Sequence, residues 1–149
     1  MKTGGKFLLA AMLVATSAAA AAPKATLELR AVIDCKASDT PMTDPVSGDK
    51  LCFSPGIIFD RSNILDAKIV SQGVYGNAIR VTLDVRGAAQ LAAATANIVP
   101  LASRIGFIYN GRLISALIVR DSFTGKEVEI TGPFGDSLDA VVADLKTRP

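Results

Sequence analysis

The chain has 149 residues, half of them hydrophobic and a fifth charged, with a formal net charge of +2 and no histidine. That length makes one domain with a real core, and without imidazole neither a Ser-His-Asp nor a Cys-His catalytic arrangement is possible. Charges of both signs are interspersed and no basic stripe carries interleaved aromatics, so the pI of about 8.6 is no argument for a nucleic-acid partner.

The N-terminus is built differently from the rest. MKTGGK is short and basic, FLLAAMLVA is an apolar run of about nine residues, and TSAAAAA supplies small residues, the layout of a secretory signal peptide. The apolar run is shorter than the roughly 20 residues that span a bilayer. Residues 1–21 are therefore expected to be removed, with cleavage after Ala20 or Ala21. Residues 22–149 would remain as one exported, soluble domain without an integral membrane segment; an uncleaved anchor helix is the alternative. Lys2 and Lys6 leave with the signal, so the mature domain is close to neutral.

Leu27, Leu29, Ala31 and Ile33 alternate with Glu28, Arg30, Val32 and Asp34, a half-buried strand running up to Cys35. A loop rich in Pro, Ser, Thr and Asp follows, and Leu51-Cys52-Phe53 reads as the partner strand, stopped by Ser54-Pro55-Gly56. Paired as a hairpin, the two flanks bring the cysteines face to face. In an exported chain a Cys35–Cys52 disulfide is the natural reading, stabilising by about 3 kcal/mol in the chain-entropy model. Two buried free thiols are the alternative. With no histidine and no Cys-x-x-Cys spacing, no metal is expected there.

Ile57-Ile58-Phe59 is too short to classify, and Asp60-Arg61-Ser62-Asn63 reads as a turn or helix start. Strands are expected over 68–72 and 78–83, joined through Gly73 and Gly76; in the second, Ile79, Val81 and Leu83 alternate with Arg80, Thr82 and Asp84. Asp84 is placed to cap a helix over 85–99, with Ala88, Leu91, Ala92, Thr95 and Val99 as its buried stripe. Gly87 weakens that helix by about 1 kcal/mol, and Pro100 closes it.

RIGFIYNGRLISALIVR follows, two apolar runs around Asn110-Gly111, the pair best suited to a two-residue type I′ turn. That turn sets Tyr109 opposite Arg112, Phe107 opposite Ile114 and Ile105 opposite Ala116 on one face. Ile108 with Leu113, Gly106 with Ser115 and Arg104 with Leu117 fall on the other. One face is strongly apolar and the other partly so, which predicts a central hairpin with helices against at least one face. A turn with Gly125, a short strand with Val128 and Ile130, and a stop at Gly132-Pro133 come next. The last helix is expected from about Asp136, its N-cap, with Asp139 completing a capping box; Lys146 and Arg148 suit its C-terminal dipole. Leu138, Val141, Val142 and Leu145 form its buried stripe. The fold class is α+β: a single domain, a largely antiparallel sheet with two helices packed on it.

Nothing in this pattern predicts an enzyme or a bound cofactor. Ser115 sits mid-strand as a packing residue, and Asp84, Asp136 and Asp139 have structural work as caps. Asp44 and Asp49 lack the ligand density of a calcium loop. Gly73, Gly76 and Gly111 lie in hairpin turns, not between a strand and a helix, so none cradles phosphate.

ILDAKIV, VTLDVRGAAQLAAAT, RIGFIYNGRLISALIV and VEITGPFGDSLDAVVADL, in that order, resemble the head subdomain of the first periplasmic domain of SecD, the membrane-embedded partner of the bacterial protein-export channel. The resemblance runs from about Asp60 to Leu145, with the front of the chain only loosely similar. Asn110-Gly111 replaces the family's Asp-Gly, keeping the turn geometry, and Leu117 replaces its proline, which predicts a more regular second strand. The resemblance implies a SecD head-like fold, a periplasmic location and a surface for polypeptide or for an envelope protein. It does not imply proton-driven export, because the family's transmembrane helices and intramembrane acid are absent. The leading expectation is a non-catalytic peptide-binding module. A dedicated subunit or inhibitor of one envelope protein is the alternative, and a carboxylate enzyme the third class.

Overall fold

The computed structural model describes residues 26–147; the expected signal peptide and Arg148 lie outside them. β1 (Leu27–Ile33) is the organising strand of the first sheet. It pairs antiparallel with β3 (Lys50–Asp60) on one side and with β6 (Arg104–Tyr109) on the other. β7 (Arg112–Ile118) follows β6, and the short β2 (Met42–Thr43) lies beyond β3, giving the order β2-β3-β1-β6-β7. A second sheet has the order β4-β5-β8, from β4 (Ile64–Ser71), β5 (Asn77–Leu83) and β8 (Glu127–Ile130). Helix α1 (Val85–Thr95) packs on β3 and β5, and α2 (Leu138–Lys146) on β4. The α+β class, the antiparallel pairing and the two helices are as the sequence predicts; the division into two sheets is new.

Both sheets share one core. Leu27, Leu29, Phe59, Phe107 and Tyr109 from the first meet Ile79, Val81, Leu83 and Ile130 from the second, closed by Leu91, Val141 and Leu145 of the helices. Each large side chain buried this way stabilises by about 1.5–3 kcal/mol relative to exposure. The alternation expected in β5 is realised, with Ile79, Val81 and Leu83 fully buried.

Ser54-Pro55-Gly56 does not stop its strand. β3 continues through it with a bulge, in which the pairing jumps from Val32–Phe53 to Arg30–Ile57. The carbonyls turned out of the ladder are taken up by Arg30, whose Nη1 donates to Ser54 O at 3.1 Å and to Pro55 O at 2.7 Å. Ile57-Ile58-Phe59 is thus the end of β3. Asp60 to Asn63 form a capped 3-10 turn, and β4 begins at Ile64, earlier than expected. Arg61 joins this turn to a segment distant in sequence, donating to the carbonyls of Asp144 and Thr147 at the C-terminus of α2.

The Asn110-Gly111 turn is of the expected kind, with φ of 50° and 73°. Asn110 also closes on the start of β1, accepting from Thr26 N through its side chain and donating its own N–H to Thr26 O, both at 2.9 Å. Tyr109–Arg112 and Ile108–Leu113 pair as expected, but Ile114 is an extra residue and Phe107 then faces Ser115. Beyond the bulge Gly106 faces Ala116, Ile105 faces Leu117 and Arg104 faces Ile118. The expected regular strand is therefore wrong. Fully buried Ile114 lies so close to Gly132 that a Cβ there would stand 2.6 Å from the Ile114 carbonyl oxygen.

Both helix boundaries also move. Asp84 caps α1 as expected, accepting from Gly87 N at 2.6 Å. The helix ends at Thr95, however, and Val99 is 64% exposed instead of completing the stripe. Gly87 is a close-approach residue, since a Cβ would lie 2.7 Å from Cβ of Asn63. Ser137, not Asp136, caps α2, accepting from Ala140 N at 3.2 Å. That places Asp139 one residue short of the capping-box position.

The outer face of the five-stranded sheet is covered by the cysteine loop. Cys35 and Cys52 are bonded, their Cα atoms 5.2 Å apart. Phe53 lies on Gly106, where a Cβ would meet its ring at 2.2 Å, and Ile108 and Leu113 are buried. Arg104 ties the loop down through Asp49 at 3.1 Å.

Candidate functional site

Where the two sheets part, the core opens to the surface. A cavity of about 220 Å³ has a floor of Leu29, Ile105 and Phe107 and walls from α1, the end of β7, the segment after it and β8. The bulge at Ile114 creates one wall: by shifting the register it turns Leu117, 38% exposed, onto the face shared with Ile105. Thr95 fixes another. Its Oγ1 donates to Leu91 O at 2.9 Å and accepts from Phe123 N at 2.8 Å, locking the segment after β7 to the last turn of α1.

β7 is the edge of its sheet, and among the described residues no further strand pairs with it. Leu117 and Ile118, near the end of β7, line the groove, and Ile118 is 46% exposed. The site is thus an apolar slot beside an open strand edge. Among the described residues that line it, Arg120 and Asp121 are the charged ones.

The surface ion pairs lie elsewhere. Arg80 holds the Glu129 carboxyl below the ordinary carboxylate range, helped by Gln72, and Arg104, then Ser47, does the same for Asp49. Asp44 is buried and accepts from Val46 N at 3.0 Å and from Ser47 Oγ at 3.0 Å, holding its own loop in shape. Asp44 and Asp49 therefore both have protein partners. Among the described residues no group of three or more acidic or cysteine side chains is arranged to hold a metal ion. Ser115 lies opposite Phe107, its Oγ buried and without a partner among the described residues, the setting of a packing residue. Among those residues no helix is long and apolar enough to cross a membrane.

The family model described as SecDF, P1 head subdomain, matches residues 38–140. The chain belongs to that family. The match starts inside the cysteine loop, so the P1 head pattern covers more of the front of the chain than the resemblance from Asp60 onward. A crystal structure of SecDF in a super-membrane-facing form superposes with a TM-score of 0.61 at 20% identity, over 83% of this chain and 19% of SecDF. A second, of a membrane component SecDF that enhances protein export, gives 0.57 at 19% identity, over 83% of this chain and 60% of the matched one. At that identity the likeness is one of fold. The chain spans about a fifth of the SecDF of the first structure. No curated protein sequence matches it.

The sequence points to a surface for polypeptide or for an envelope protein without locating it. It gives Leu117, Ile118 and Phe123 no part in a site. The assumption of an unbroken register had turned Leu117 to the opposite face, and no local signal marks the bulge. Thr95 was visible as a stripe residue, but its role as a latch depends on Phe123, 28 residues away.

Proposed function

We propose that this P1 head domain is a non-catalytic binding module that acts outside the cytoplasm and holds extended polypeptide during protein export. The observation that carries the reading is the apolar slot beside the open edge of β7. An extended chain supplies the N–H and C=O groups an edge strand lacks, and its alternate side chains point to one face. A slot flanking that edge receives one of every two. The Cys35–Cys52 disulfide supports an oxidising compartment, and the printed description of one SecDF structure, a component that enhances protein export, supports the process. This domain's contribution is the grip.

An NMR titration with unfolded peptides tests the reading. Shifts should concentrate at Ile105, Leu117, Ile118 and Phe123 and recur with unrelated apolar sequences. A response confined to one folded partner would instead indicate a dedicated subunit of an envelope complex.

A further inference from the structure

Resting on that reading of the groove, we propose that Leu101 is an anchor for the bound polypeptide, presented by a turn in which folding alone would favour glycine. Val99-Pro100-Leu101-Ala102 is closed by Ala102 N donating to Val99 O at 3.1 Å, and Leu101 has φ of 66°. Proline in the second position and positive φ in the third define a type II turn, whose third position calls for Gly or Asn. For leucine the left-handed region is a genuine outlier.

The conformation is imposed from both sides. Leu101 N donates to Val119 O at 3.2 Å, Ser103 N to Val99 O at 3.2 Å, and Val119 N to Ser103 O at 2.9 Å. Burial of the side chain offsets little of that strain, because Leu101 is 67% exposed. Its turn is bonded to Val119, which lines the groove, and Val99, Leu117 and Ile118 are exposed with it. A strained, exposed leucine in a turn bonded to the wall of an apolar slot gains its contacts when something fills the slot. The open β7 edge selects the occupant: its backbone groups match an extended polypeptide and have no complement in a lipid tail.

The test is fluorescence anisotropy with a labelled peptide of alternating leucine and serine, alongside thermal melts, for the parent chain, Leu101→Gly and Leu101→Asn. Both substitutions tolerate positive φ and remove the apolar anchor. Leu101→Gly should melt at the parent temperature or above and bind the probe about tenfold more weakly, as expected for losing one buried leucine contact. Leu101→Asn should weaken binding to a similar degree and reports if the glycine variant does not fold. Parent-like affinity in both variants would overturn the anchor and leave the groove standing. A clearly lower melting temperature for Leu101→Gly would make Leu101 a structural residue and also overturn it. No binding of the probe by the parent chain would defeat the groove reading itself, and this proposal with it.

Discussion

At the scale of single residues, backbone freedom and buried polar atoms decide most. Gly111 has φ of 73° with open space where a Cβ would stand, so its constraint is conformational, not steric. Gly111→Val should lower stability by about 1–2 kcal/mol through the left-handed backbone; an unchanged melting curve would count against the type I′ turn. Tyr109 is the clearest electrostatic case. Its ring is buried against Phe134, and its hydroxyl donates to Asp144 Oδ2 at 3.2 Å, linking β6 to α2. Burial, then the charge of Asp144, raises the phenol above its ordinary value of 10.0. Because the folded state holds this proton more tightly, its contribution is complete below pH about 10 and is lost as pH rises through the folded value. Tyr109→Phe should lose about 1 kcal/mol at neutral pH and show a shallower alkaline fall than the parent chain. Parallel curves in urea unfolding from neutral to strongly alkaline pH would refute that assignment.

At the scale of elements, what could be read from the sequence was local. The Asn110-Gly111 turn, the alternation of β5 and the Asp84 cap depend on residues a few positions apart, and all three hold in the structure. Two of the strand errors involve partners distant in sequence. Ser54-Pro55-Gly56 passes through a strand because Arg30 receives its carbonyls, and β7 bulges where Gly132 presses on Ile114. The candidate site inherits that second error: once the register slips, Leu117 moves from the wrong face into the groove wall. Leu117→Asp should change stability little, since the side chain is partly exposed, but should abolish the peptide-induced shifts in the titration. Retained shifts would move the binding surface away from this wall.

Across the whole molecule, two antiparallel sheets close on one core, and the disulfide loop covers the face that helices leave bare. Composition and period could predict an α+β class, whereas the division into two sheets depends on β8 crossing to β5 after the hairpin. The disulfide spans 17 residues and pins that cover beside the ladder of β1 and β3. Reduction should lower stability by up to about 3 kcal/mol, read as a drop in melting temperature; no change would mean that the loop is held by Phe53 and Asp49 alone. The central claim is that the groove and its strand edge receive polypeptide in the cell, and site-specific photocrosslinking tests it most directly. A benzophenone side chain is placed at Leu117 and, in a second strain, at Val74, which is 93% exposed on the β4–β5 turn. Position 117 should capture many different exported chains and position 74 few. Equal capture at both positions, or one recurrent folded partner at 117, would contradict the account.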